Sequence, residues 1–235
     1  MNESALTIRP SNERGYADHG WLRSHHTFSF ASYYDPQYMG YRSLRVINED
    51  RVAPSQGFPM HAHQDMEIFT FVVSGQLEHK DSLGNGRIIQ AGEFQYMSAG
   101  SGVHHSEFNP GDTPVHFLQI WIEPNQKGAV PRYAELSSSE EQESDGFRLL
   151  ASPSGHAGSI AIRQEAEIYS ATVRGSFRLP STTLSCAWIQ LVEGSLTIDG
   201  DILSAGDGAS FQTSHIFESL ATSDSDTRFI LFYLN

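Results

Sequence analysis

Two histidines one residue apart, His61 and His63, are followed forty-two positions later by His105 and then Glu107. Imidazole nitrogen and carboxylate oxygen are ligands for a borderline first-row metal. Successive side chains in a strand point to opposite faces, so His61-Ala62-His63 turns both rings to one side, and His105-Ser106-Glu107 does the same with ring and carboxylate. Two strands, each offering two inward donors, would build a four-ligand site: His61, His63, His105 and Glu107. An ion that prefers six ligands would keep positions open there.

The elements that must position these donors are strands. The chain has no long stripe of period 3.6. Short β-branched and aromatic runs bounded by Gly, Pro, Asn and Asp predict strands at 43–47, 68–74, 76–81, 87–90, 92–97, 103–109 and 115–122. Ser82-Leu83-Gly84-Asn85-Gly86 predicts a hairpin turn. An internal repeat is visible: Val73-Ser74-Gly75-Gln76-Leu77 resembles Val192-Glu193-Gly194-Ser195-Leu196, and Ala91-Gly92-Glu93 resembles Ala205-Gly206-Asp207. The fold class expected is therefore all-β, with two antiparallel β-barrel domains and few short helices. The first, 1–135, would carry the metal site, and the second, 136–235, would lack it. Between them 124–146 includes the polar acidic run Ser137 to Ser144, read as linker or surface segment. In the second copy Pro180 and Thr182 stand where His61 and His63 stand in the first. Ser219 and Ala221, or after a two-residue slip Phe217 and Ser219, replace His105 and Glu107. The second copy has no ligand set.

Bulk properties narrow the function. The net charge of −13 disfavours direct contact with nucleic acid, and no basic run offsets it. Cys186 is the only cysteine, so no intramolecular disulfide can form. Its apolar surroundings, 184–192, suit a buried small hydrophobe. The N-terminus has no basic-then-apolar signal pattern, and no run reaches the length of a membrane helix. These features lead to the expectation of a soluble, cytoplasmic protein with no membrane partner.

Gly57, His61-x-His63 and Gly75, then Gly92, Gly100, His105 and Asn109, resemble the two motifs of the cupins. The wider text is similar to the pirin family of bicupins: His19-Gly20-Trp21-Leu22, Thr27-Phe28-Ser29-Phe30, Tyr34-Asp35-Pro36, 44–48, 61–67, Ser98-Ala99-Gly100 and 105–110. The likeness covers nearly the whole chain, densely in its first two-thirds. It implies jelly-roll barrels and metal ligands at His61, His63, His105 and Glu107. Many cupins place a carboxylate five residues after the second histidine, which here is Ile68. Glu67 is one residue early and faces the other way, leaving the carboxylate role to Glu107.

The resemblance further implies a dioxygenase that opens the heterocycle of flavonols such as quercetin, with dioxygen as co-substrate and Glu107 as catalytic base. Fe(II) is the first choice of metal, with Ni, Mn, Co, Cu and Zn compatible. Two other readings go with the family and the fold. One is a non-enzymatic, metal-dependent and redox-sensitive regulatory protein that binds a transcription factor or enzyme partner. The other is a cupin enzyme acting on a different substrate. The remaining histidines take plain roles: His104 pointing away from the ligands, His25 and His26 packed or at the surface, His79 exposed near a hairpin, His116 packed, His156 and His215 without partners at ligand spacing. Gln119, polar in an apolar strand, is either an orienting group for a ligand or a satisfied core amide.

Overall fold

In a computed structural model of the chain, residues 6–138, 146–222 and 226–235 are described. The strands in the first half are β1 (Leu6–Arg9), β2 (Gly15–Asp18), β3 (Leu22–His26), β4 (Leu44–Val52), β5 (Gly57–His63), β6 (Glu67–Ser74), β7 (Gln76–Asp81), β8 (Gly86–Gln90), β9 (Phe94–Ser98), β10 (Val103–Phe108), β11 (Val115–Ile122) and β12 (Arg132–Leu136). Those in the second half are β13 (Phe147–Ser152), β14 (Ile160–Ala161), β15 (Ala166–Val173), β16 (Cys186–Glu193), β17 (Ser195–Ile198), β18 (Asp201–Ser204), β19 (Gly208–Gln212), β20 (Leu220–Thr222) and β21 (Thr227–Leu234). Two short 3₁₀ turns are the only helical elements among the described residues.

Two compact units result. One is Gly15–Ser138 with Ile162–Gln164. The other holds the described residues of 1–14, 139–161 and 165–235. The first strand thus belongs with the second half of the sequence: Leu6 to Arg9 pair antiparallel with Phe211 to Gly208 of β19. Each unit is a pair of sheets over an apolar core, a jelly-roll sandwich rather than a barrel closed by one continuous ladder. In the first unit a seven-stranded sheet, β12-β9-β6-β11-β4-β3-β2, faces a four-stranded sheet, β5-β10-β7-β8. Leu22, Val52, Val72, Leu77, Ile89, Val115 and Phe117 pack between them. The second unit has a seven-stranded sheet, β1-β19-β16-β21-β15-β13-β14, and a three-stranded sheet, β18-β17-β20, around Phe147, Leu191, Leu196, Leu203 and Phe229. Cys186 is fully buried in that unit, as its apolar context implies.

The strands expected at 76–81 and 115–122 form at those residues. The predicted turn between β7 and β8 also forms. Asp81 Oδ1 accepts from the backbone N–H groups of Leu83 (2.9 Å) and Asn85 (3.0 Å), and Gly84 takes a φ of 95°. Several strand ends shift by one or two residues, and two strands depart further from the sequence expectation. The one begun at Ser43 runs on to Val52, through the polar stretch Asn48-Glu49-Asp50-Arg51. The strand carrying the first two histidines, β5, contains Pro59, which suits its position at the edge of its sheet.

Beside the histidines β5 and β10 are pressed together. A Cβ on Gly57 would stand 2.1 Å from the carbonyl oxygen of Glu107. The register places His61 opposite His105 and Phe58 opposite Glu107, with a bulge between. We expect Gly57→Ala to force these backbones apart and to cost about 1–3 kcal/mol of stability. Denaturant titration measures that loss, and a variant as stable as the parent would contradict the close approach.

Candidate metal centre

Strand alternation does what the spacing requires. β5 sends His61 and His63 to one face, and their ring centroids are 4.8 Å apart. β10 places His105 against both, at 4.4 Å from His61 and 4.9 Å from His63. One nitrogen from each ring lies within 4.8 Å of the others. His61 Nδ1 is 2.8 Å from the carbonyl oxygen of Pro59. A carbonyl only accepts, so Nδ1 carries the proton and Nε2 keeps its lone pair for a ligand. His105 Nε2 is buried and has no hydrogen-bond partner. A buried unpaired imidazole nitrogen beside two other imidazoles is a donor set that fits a transition-metal ion.

Glu107 is 2% exposed and shares the cavity with the three rings. Thr70 Oγ1 donates to its Oε1 (3.1 Å) and Gln119 Nε2 donates to its Oε2 (2.8 Å). Thr70 and Gln119 are directly opposed in the β6–β11 ladder, so one sheet aims both donors at this carboxylate. Each oxygen retains a lone pair beyond the one so used. Gln119 is both satisfied, with Thr70 at its Oε1, and turned to the Glu107 carboxylate. Glu67 is turned to the opposite face of β6, where Tyr96, Ser98 and the Arg163 backbone N–H donate to it. It takes no part in the cluster.

The sequence reading missed His79, expected at the surface. The structure buries it completely behind His105. Its Nε2 donates to Asp81 Oδ2 (3.3 Å), and Gln95 Nε2 donates to its Nδ1 (2.9 Å). That Nδ1 also faces His105 Nδ1 at a long 3.5 Å. The His79 Nδ1 lone pair is taken up by Gln95, and His105 packs beside it, with its unpartnered Nε2 as the atom left to ligate. His79, His105 and Glu107 form a second group at ligand spacing. Because both His79 nitrogens are engaged by Asp81 and Gln95, His79 acts as support for His105. Burial works against the Asp81 carboxylate, but hydrogen bonds from Asn85, His79 and Leu83 hold it below the usual range. The signal in the sequence was the alternation Leu77-x-His79-x-Asp81, which turns all three inward together.

The histidines open into a cavity of about 380 Å³. Trp21, Phe30, Phe58 and Trp121 form its aromatic walls, and His26, Asn48 and Asp50 contribute polar groups. His26, placed by sequence among packed or surface residues, lies in this wall and hydrogen-bonds Asn48 Oδ1 through Nδ1 (2.8 Å). Asn109, part of the motif that carried the resemblance, is a clasp: its Nδ2 donates to the carbonyls of Val52 (3.0 Å) and Thr113 (2.8 Å). In the second unit a cavity of about 780 Å³ is lined by Pro180, Thr182, Phe217 and Ser219, the residues aligned with the four donors after the two-residue slip. Among the described residues, no group of His, Cys, Asp or Glu at ligand spacing occurs in that unit.

The chain belongs to the pirin family, a class of bicupins. A family profile described as Pirin matches residues 7–122, and one described as the quercetinase C-terminal cupin domain matches 149–234. Over 224 residues the chain is 44% identical to a protein of Escherichia coli K12 named quercetin 2,3-dioxygenase, spanning 94% of this chain and 96% of that one. It is 38% identical to a pirin-like protein of Caulobacter vibrioides, over 93% and 95% of the two chains. The crystal structure of the E. coli pirin YhhW in complex with nickel(II) superposes with a TM-score of 0.89 at 43% identity, covering 97% of this chain and 98% of that chain.

Burial, and then the neighbouring imidazoles, lower His63 from 6.5 to about 4 and His105 from 6.5 to about 3. Both rings are neutral and ready to donate at neutral pH. The unfolded chain takes up these protons near 6.5, whereas the folded chain resists until about 4 and 3, so the unfolded state binds more protons in that window. Their contribution to stability is therefore complete above 6.5 and is lost as pH falls towards 3. Thermal melts of the metal-free protein should show Tm falling with acidification, with a shallower slope in His105→Gln. An unchanged slope would contradict the assignment. His79→Phe should lower metal affinity by about 10–100-fold, read by calorimetric titration. Unaltered affinity would rule out the supporting role.

Proposed function

We propose that this protein is a metal-dependent dioxygenase that opens the heterocycle of flavonols such as quercetin, with His61, His63, His105 and Glu107 as metal ligands. The observation that carries this reading is the cavity. Three imidazoles and a carboxylate face a space of about 380 Å³ with aromatic walls, within the size range of small-molecule sites. A sealed donor cluster would suit a structural or sensing role; an open one suits a flat aromatic substrate. Fe(II) is the ion we propose, and the nickel(II) complex of the E. coli relative supports a divalent ion of this kind. A lone, buried thiol is consistent with the cytoplasm as the place of action.

When bound, the metal supplies Lewis-acid stabilisation of the flavonol 3-oxygen and access to dioxygen chemistry. The protein supplies the rest. Trp21, Phe30, Phe58 and Trp121 exclude water and hold the rings flat. Glu107 takes the 3-hydroxyl proton, while Thr70 and Gln119 keep its oxygens aimed. Opening the heterocycle with one dioxygen releases one carbon monoxide and leaves the ester of the two aromatic halves.

The test is direct. Purified protein is loaded anaerobically with Fe(II), Mn(II), Ni(II), Co(II) or Cu(II) and mixed with quercetin in air. We expect loss of flavonol absorbance with carbon monoxide release, abolished by His61→Ala. Glu107→Gln should lower kcat by about 10²–10⁴-fold. Bound metal without turnover under any loading would overturn this reading.

A further inference from the structure

The cavity holds a second carboxyl group that the proposed reaction does not use. Asp50 lies on β4 and lines the cavity with Asn48 and Ser24. It is 4% exposed. Ser24 hydrogen-bonds it, but its Oδ1 is buried without a partner. A carboxyl oxygen taken out of water and left unpaired is destabilising. The position becomes favourable only when an occupant of the cavity brings a donor. Asp50 belongs to neither group of side chains at metal-ligand spacing. Glu107 is engaged elsewhere: Thr70 and Gln119 aim its oxygens, and the proposed reaction uses their remaining lone pairs for the metal and the 3-hydroxyl proton.

The surroundings narrow the donor. Burial foremost, with the charges of Glu107 and Glu49, pushes the Asp50 carboxyl up to about 7, against the Ser24 hydrogen bond. Burial, the first of these causes, disfavours the charged carboxylate, which suits the position to a neutral hydroxyl donor rather than to a cation. The nearby walls are aromatic rings, which favour a hydroxyl carried on a flat ring.

We propose that Asp50 is a specificity-determining residue whose Oδ1 receives a phenolic hydroxyl on an outer ring of the substrate, away from the 3-hydroxyl addressed by Glu107. This rests on the flavonol reading above. It also explains why a polar residue is kept at a strand position that faces the core between the sheets.

The test compares quercetin with 3-hydroxyflavone, which has no outer-ring hydroxyl. Binding to the metal-loaded protein is measured without oxygen, so that it is read apart from turnover. Wild type should bind quercetin more tightly. Asp50→Leu, close in shape, should weaken quercetin by about tenfold to hundredfold and leave 3-hydroxyflavone unchanged. Asp50→Asn keeps an oxygen in place and should recover most of the loss. Equal weakening of both ligands, or none, overturns the proposal. Should the leucine variant not fold, the wild-type comparison still decides: equal affinity for the two ligands overturns it. Asp50-dependent discrimination without turnover would sink the dioxygenase reading and leave the subsite standing.

Discussion

The site depends on the antiparallel pairing of β5 with β10. That ladder sets His61 opposite His105, and strand alternation then adds His63 on one side and Glu107 on the other. Nothing else in the unit could assemble these donors, because they come from strands separated by four intervening elements of sequence. The pairing is close at Gly57, where no side chain fits, and irregular between His105 and Glu107, where a bulge shifts the register. The first constraint holds the strands together. The second re-aims the chain where the ligand type changes from imidazole to carboxylate.

Around that ladder the fold keeps buried polar groups apart by face. β6 carries the division. Thr70 faces and serves Glu107, whereas Glu67 looks to the opposite face and is held by Tyr96, Ser98 and the backbone of Arg163. Two buried carboxylates, Glu67 on β6 and Glu107 on β10, are thus served from opposite faces of β6, each with its own donors. A single-residue shift of β6 would turn Thr70 away from Glu107 and Glu67 away from Tyr96 and Ser98. Behind the cluster, Asp81 and Gln95 fix His79, and His79 fixes His105. Orientation is transmitted inward from a turn residue, since Asp81 also closes the β7–β8 hairpin.

The grouping of His61, His63 and His105 was legible because it combines chemistry with period-two spacing, and because a failing repeat marked the same positions; Glu107 comes to ligand spacing with His105 and with His79, which the sequence did not offer. The off-register Glu67 was legible for the same reason. Elements without apolar alternation were harder to read. β5 has Pro59 and half-exposed side chains, so only its histidines announce it. The polar end of β4 resembles a loop in sequence, yet it is buried, and it contains Asp50. His79 sits between charged Glu78 and Lys80, which conceals its inward direction until Leu77 and Asp81 are read with it. What escaped, in each case, is a polar group that tertiary contacts satisfy or a ligand is left to satisfy, and local sequence records neither.

The second unit shows what the scaffold does without the donors. Its cavity is larger than that of the first, and it presents Pro180, Thr182, Phe217 and Ser219 where the repeat aligns the four donors. A proline, a hydroxyl and an aromatic ring cannot replace three imidazoles as ligands for a borderline metal. The jelly-roll sandwich therefore does not require the metal in order to form a core, since the second unit builds one from apolar side chains such as Phe147, Leu191, Leu196, Leu203 and Phe229. By the same argument, the clustered histidines of the first unit are not structural necessities of the fold. His63 and His105 have their proton affinity lowered by burial and by neighbouring imidazoles, and His105 leaves a buried nitrogen unpaired and needs His79 beside it. Such features persist where a site is built to hold something.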